Sequence, residues 1–468
     1  MKKIKLVIFS ILCLGIGVGK GQYRVLHNFN DTAGGRPYGN DIMPSGSKLY
    51  GMTGEGGANG IGCIFSLDTN GNGYKDLLDF NMTNGGYPSG SLTLLGDKLF
   101  GMAGVGGLND SGLIFSIDTN GSGFTDRFDF NGPDGNSTYG DLTLYGNKFY
   151  GTTEKGGAHH YGCIFSIDTN GGGYKDIYDF TGIGGSTPPG DVIFSGNKLY
   201  GMTFNGGTND SGVVFSVDTN GSGYTDMLNF NTANGSTPGG TLALSGNVLY
   251  GMTDEGGHSG LGCVFSIHTD GSGYKDLLDF NGANGRTPEA SILLSGRKLY
   301  GMTAGGGANL YGCIFSLDTN GGGYNDLYDF NFSNGISPYG SLSISGDILY
   351  GMTPRGGTYD AGVVFSFNLS DITTSINNLK PTPFTSISVY PNPSTGIFTF
   401  TPVGTQNFVS SKIEIYNVLG EKVREETLKQ VQHDYEIDIG SQPGGAYFYR
   451  VLTETGELVG EGKLVVEK

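Results

Sequence analysis

Tryptophan is absent from the 468 residues, histidine occurs six times, cysteine five times, and charged side chains make up only 15%. The usual charged share is about 25%. Cations are the scarcer sign, with 27 Lys and Arg against 44 Asp and Glu, for a net charge of -17. A protein that tracks phosphates or an anionic membrane surface needs a cationic face, so this balance argues against nucleic acid and membrane partners. No C-x-x-C pair, zinc motif, phosphate loop or Ser-His-Asp order is recognisable. Proline is limited to 16 residues and glycine shows no three-residue period, which excludes collagen and argues against simple disorder. Long apolar runs are missing except for one, Leu6 to Val18, preceded by Lys2, Lys3 and Lys5 and followed by the small residues Gly19 and Gly21. Residues 1–21 therefore read as a secretory signal, too short to span a bilayer. Cys13 follows Ile11 and Leu12, where a lipoprotein signal wants small residues, so it reads as an ordinary member of the apolar run.

What the chain has instead is glycine, 87 residues of it, together with 27 Tyr and 28 Phe. Interior glycine costs a helix about 1 kcal/mol relative to alanine, so this composition favours turns and strands. Leu-Tyr-Gly or a close variant recurs at Leu49, Leu99, Phe149, Leu199, Leu249, Leu299 and Leu349, a 50-residue period in seven copies. Each unit holds four short apolar runs separated by glycine-rich turns, as in Ser91–Leu95, Lys98–Met102, Gly112–Asp118 and Gly123–Phe130. Four strands per unit at this period predict an all-β, seven-bladed β-propeller over residues 22–369. Tyr23–Phe29 matches the fourth run, and the array ends at a third run, Gly362–Leu369, so the N-terminal strand is expected to close the ring.

The double glycine after the second run, from Gly56-Gly57 to Gly356-Gly357, resembles a kelch repeat. The units are more similar still to the GloVer-type tandem repeat of exported bacterial proteins, a family defined by its repeat and carrying no implied activity. Cys63, Cys163, Cys263 and Cys313 share one phase of the repeat with Leu113, Val213 and Val363. Different blades hold them beyond disulfide reach, so they read as small buried residues.

After residue 369 the texture changes. Residues 370–386, rich in Ser, Thr, Asn and Pro, read as a linker, and 387–468 alternate like the strands of a small β-sandwich. Val389-Tyr390-Pro391-Asn392-Pro393-Ser394-Thr395-Gly396, Ile415-Tyr416-Asn417-Val418-Leu419-Gly420, Pro443-Gly444-Gly445-Ala446-Tyr447-Phe448 and the ending Gly462-Lys463-Leu464-Val465-Val466-Glu467-Lys468 resemble the type A C-terminal sorting domain of the type IX secretion pathway. The resemblance implies a partner, the outer-membrane translocon with its sorting machinery, and delivery to the cell surface or medium of a Gram-negative bacterium. It carries sorting roles onto Pro391, Asn392, Pro393, Gly396, Asn417, Gly420, Gly445, Tyr447, Lys463 and Lys468.

Two sets of residues in the repeat invite chemistry. Asp68, Asn70, Asn72 and Asp76 space oxygen ligands as the first nine positions of an EF-hand loop do, so calcium is a candidate there, although no cofactor is required. The competing reading is a plain Asn-Gly hairpin turn. Where the copies diverge, kelch geometry would display Arg36, Tyr38, Glu55, Tyr139, Lys155, His159, His160, Tyr161, Asp254, Glu255, His258, Arg286, Glu289, Tyr311, Tyr339, Arg355, Tyr359 and Asp360 on one face. Aromatic rings beside charges suit a glycan or surface-protein ligand, though loop tips also diverge freely. A non-catalytic binding or adhesion protein is the expectation, with no catalytic residue assigned. Its rivals are a surface glycan-degrading enzyme, which needs a carboxylate pair, and a structural surface or matrix component.

Overall fold

The computed structural model describes residues 23–370, 386–403, 411–417, 421–428, 435–453 and 458–468. The segment read as a signal, most of the linker, and Gly420 lie outside the described residues. No helix among the described residues is long and apolar enough to cross a membrane. The chain divides into two compact units, Met1–Ser375 and Ile376–Lys468.

The first unit is all-β. Met43–Ser45, Lys48–Thr53, Cys63–Asp68 and Lys75–Asp79 pair in chain order as one antiparallel sheet, and five more four-stranded sheets repeat that order. A seventh four-stranded sheet takes Ser343–Ser345, Ile348–Thr353 and Val363–Asn368 from the end of the unit and Tyr23–Asn28 from its start, with Tyr23 opposite Phe367.

Two positions of the repeat explain how the sheets pack. The third strand of each sheet carries a fully buried phenylalanine, and the fourth is followed by another. These meet edge to face across neighbouring sheets: Phe80 and Phe115 at 5.6 Å, Phe130 and Phe165 at 5.3 Å, Phe180 and Phe215 at 5.2 Å. The series continues through Phe330 and Phe365 at 5.4 Å, and Phe29 meets Phe65 at 5.3 Å. Each such pair contributes roughly 0.5–1.5 kcal/mol beyond the area it buries. The glycine of Leu-Tyr-Gly makes room for the ring, because a Cβ on Gly51 would lie 2.6 Å from Cζ of Phe65. The four repeat cysteines are free and buried, and Thr53 Oγ1 lies 3.4 Å from Cys63 Sγ.

The second unit has two sheets. Ser386–Tyr390, Ile397–Val403 and Tyr435–Asp438 form one; Lys422–Leu428, Ser411–Tyr416, Gly445–Thr453 and Leu458–Val466 form the other. Their alternating apolar residues, including Phe398, Phe400, Ile413, Ile415, Tyr449, Val451 and Leu464, make one core.

Candidate functional site

The segment that leads into the first strand of each sheet sets the geometry. In successive copies, one phase of the repeat reads Asp41, Ser91, Asp141, Asp191, Thr241, Ser291 and Ser341. The backbone N–H of each of six of these residues donates to the side chain of the next. Thr241 N–H reaches Ser291 Oγ at 2.8 Å, Asp191 N–H reaches Thr241 Oγ1 at 3.0 Å, and Ser291 N–H reaches Ser341 Oγ at 3.0 Å. Ser91 and Asp141 donate in the same way to Asp141 and Asp191, and Ser341 N–H returns to the Asp41 carboxylate. A small oxygen-bearing side chain at this phase satisfies a backbone donor of the preceding copy, which is why only Asp, Ser and Thr occur there.

Residues of all seven copies at this and the two preceding positions line a single cavity of about 530 Å³. Gly39, Gly90, Gly140, Gly190 and Gly240 thin its wall, while Tyr38, Tyr139 and Tyr339 add rings. Glu154, Phe204 and Asp254 reach it from a second phase, directly after the Leu-Tyr-Gly strand. The lining is acidic: Asp41, Asp141, Glu154, Asp254 and Glu289 contribute carboxyl groups, and no Lys, Arg or His lines it among the described residues. Burial pushes Glu154 up to about 7 against the weak opposing pull of Lys155. Enclosure, then repulsion from Asp141, pushes Asp41 up to about 7 as well. Asp254 is raised by burial, then by Glu289 and Glu255.

Of the residues expected on the divergent face, the cavity gathers Tyr38, Tyr139, Asp254, Glu289 and Tyr339. Arg36 lies at the Tyr38 side and is held by Glu55 at 2.9 Å and Asp31 at 3.6 Å, while Arg355 pairs with Asp360 at 2.8 Å. Backbone bridges join the segment between sheets to the loop after the second strand, Gly35 beside Arg36 with Glu55 and Ile336 with Arg355. Lys155, His159, His160, Tyr161, Glu255, His258, Arg286, Tyr311 and Tyr359 are exposed and do not line the cavity. Sequence reasoning missed Asp41, Asp141, Glu154 and Phe204. The available signal was variation between copies, Asp against Ser or Thr at one phase and Gly54, Gly104, Glu154, Phe204, Asp254, Ala304 and Pro354 at the other.

The residues spaced like a calcium loop divide into two groups. Asp68 pairs with Lys48 Nζ at 2.8 Å, and the equivalent aspartates pair with Lys148 at 2.6 Å, Lys198 at 3.2 Å and Lys298 at 2.9 Å. In the two copies whose lysine is replaced by Val248 or Ile348, the aspartate is replaced by His268 or Asn368. Asn70 accepts from Asn72 N–H at 2.9 Å within the turn. Asp76 stands opposite Phe65, further along the strand, and bonds to Asp79. In one copy, Cys163, Asp176 and Asp179 place ligand atoms within 4.8 Å of one another, but burial pushes the Cys163 thiol up to about 12 and keeps it protonated at neutral pH.

The tail motifs have structural work of their own. Asn392 donates to Lys463 C=O at 2.6 Å and accepts from Val465 N–H at 2.9 Å, tying the Pro391-Asn392-Pro393 segment to the last strand. Gly396 has φ +129°, and a Cβ there would meet Gly440 Cα at 2.2 Å. Asn417 closes the turn with Glu421, and Tyr447 donates to Pro443 C=O at 2.7 Å. Gly445 has φ +153°, Lys468 lies beside Gly444, and Pro391 and Pro393 follow cis peptide bonds.

This is the architecture of an exported repeat protein with a separate sorting module. The profile of the Gloeobacter/Verrucomicrobia repeat matches residues 8–211 and 190–401, and the chain belongs to that family. Residues 388–467 match the secretion system C-terminal sorting domain. That tail implies interaction with the type IX secretion machinery and places the protein at the surface of, or outside, a Gram-negative cell. No curated protein matches the chain. Among solved structures, it is similar to an oligogalacturonate lyase in complex with manganese (12% identity, TM-score 0.51, 75% of this chain and 93% of that one). It is also similar to the extracellular domain of a B. thetaiotaomicron protein described as a hybrid two component system (13% identity, TM-score 0.51, 95% and 58%). A puromycin-hydrolysing peptidase of Mycobacterium tuberculosis gives 12% identity and TM-score 0.50, over 84% and 63%. The chain thus spans less than two thirds of the last two, and at these identities the likeness is one of fold alone.

Proposed function

We propose that this chain is a non-catalytic binding protein of the cell surface, delivered by its tail, whose seven sheets are the blades of a closed kelch-like propeller. The ligand, a glycan or surface protein, binds in the cavity at the propeller axis. One observation carries the reading: equivalent positions of all seven copies line one recess, and the residues they present there differ from copy to copy. Repeat-invariant residues are explained by packing, as Phe65 and Gly51 are, whereas Tyr139, Glu154, Phe204, Asp254 and Glu289 are not needed by the repeat. A concave wall that sets aromatic rings beside convergent polar groups is a usual form of a small-ligand site.

The glycan-degrading alternative is favoured by one feature, a carboxyl held near neutrality by burial at Glu154, as a general acid requires. Native gels cast with a panel of polysaccharides separate the readings. Retardation of the mature protein in an intact gel is expected, a cleared zone would establish an enzyme, and free migration in every gel would remove the glycan ligand.

A further inference from the structure

The cavity is electrically unbalanced, and Asp254 shows it most clearly. Asp41 and Asp141 accept backbone N–H groups from Ser341 and Ser91. Asp254 is only 7% exposed, lines the cavity, and its Oδ1 has no hydrogen-bond partner. A buried acceptor without a donor costs the free energy of its lost hydration, and Glu289 and Glu255 add repulsion. Arg36 and Arg355 cannot relieve it, being engaged by Glu55 and Asp360. The rings of Tyr139, Phe204 and Tyr339, on the same lining, attract a cation to their faces.

We infer that the cavity receives a protonated amine carried on a sugar residue, with Asp254 as its anchoring carboxylate and Tyr139 and Tyr339 packing beside the sugar. The inference rests on the cavity being the ligand site. A bare metal ion fits less well, because about 530 Å³ is the volume of an organic-ligand site and two of the carboxylates are already spent on backbone donors. A lysine-bearing peptide fits less well because the recess is ringed by segments of all seven copies and no strand residue lines it among the described residues, so it offers no edge along which a peptide could extend.

Calorimetry on the mature protein in 0.15 M salt tests this with four probes: a fully deacetylated glucosamine hexamer, its N-acetylated counterpart, cellohexaose, and hexalysine. The amino sugar is expected to bind, with the acetylated and neutral hexamers and hexalysine at least ~30-fold weaker, the scale of losing a buried charged contact. Asp254→Asn should cut amino-sugar affinity by ~30-fold or more while leaving the fold intact, since it replaces a buried carboxyl whose Oδ1 has no hydrogen-bond partner with a neutral group of the same shape. Non-specific attraction of a polycation to a chain of net charge -17 would survive that single change, and such survival would overturn the inference. Should Asp254→Asn fail to fold, Glu289→Gln, exposed at the mouth, carries the same comparison with a smaller expected loss. Equal binding of all three sugars overturns the amine assignment and leaves the ligand site standing. Hexalysine binding as tightly as the sugar overturns the sugar assignment. No binding to any probe overturns the inference, and retardation by another polysaccharide in the gel panel would then still uphold the proposed function.

Discussion

Two units of one chain treat buried carboxylates in opposite ways. In the tail, Glu414 is 4% exposed and fully served: Arg450 reaches it at 2.9 Å, Lys412 at 3.0 Å, Lys422 at 3.3 Å, and the Tyr416 hydroxyl at 2.6 Å. The Tyr416 bond first, then the three cations, pull its carboxyl well below the usual range. In the repeat unit, Glu154 and Asp254 gain no such partners and are pushed up. The tail spends its charges on its own fold; the cavity gives Asp41 and Asp141 backbone donors but leaves Glu154 and Asp254 without a cation in contact. Uncompensated burial that the fold does not need is the mark of a site kept for something else.

The contrast should appear first as opposite pH dependence. For a carboxyl raised in the folded state, stability is greatest below its unfolded value and falls as pH climbs toward the folded one. With Asp41 and Asp176 at about 7, Glu154 at about 7, and Asp126 and Asp276 at about 6, the repeat unit should lose stability between pH 4 and 7. His27, lowered to about 4 by burial, opposes this in part, since below 6.5 the unfolded chain protonates it while the folded one holds it neutral to about 4, so its contribution falls as pH falls. For Glu414 the sign reverses, and the tail should lose stability as pH drops below 4.5. Hydrogen exchange resolved to each unit checks this, and parallel profiles would break the comparison.

Single substitutions sharpen it. Glu154→Gln should stabilise the repeat unit by up to about 3 kcal/mol at pH 8 and by little at pH 4, measured by denaturant unfolding. Glu414→Gln should destabilise the tail by about 2 kcal/mol at pH 7, discounted for the exposure of its cations, and exchange at Ile413 and Val451 would report it. The smallest effect concerns calcium. With Asp68 held by Lys48 and Asp76 by Asp79, chelator should move the melting temperature by less than about 1 °C, and a larger fall would support the loop as a metal site.

The sequence made the repeat legible because packing imposes the same residues 50 positions apart: the Leu-Tyr-Gly glycine beneath Phe65, and the paired phenylalanines between sheets. The partnering of Tyr23–Asn28 with Val363–Asn368 was readable for the same reason, as a fourth run displaced to the start. Tyr38, Tyr139 and Tyr339 stood out as rings in glycine-rich segments. Asp41, Asp141 and Glu154 did not, because each sits at the edge of an apolar strand and passes for its polar boundary. Their meaning depends on neighbours 50 or 300 residues away. The exposed tips at His159, His160, His258 and Tyr359 diverge as strongly in sequence yet do not line the recess, so divergence alone could not separate site from surface.

The central claim is that ligand binding resides in the cavity and not on the loop tips. Affinity electrophoresis of the mature protein beside a Tyr139→Ala/Tyr339→Ala variant and a Tyr359→Ala variant tests it most directly. Retardation lost in the cavity variant and kept in Tyr359→Ala is the predicted result. Retardation kept in the cavity variant and lost in Tyr359→Ala would contradict it.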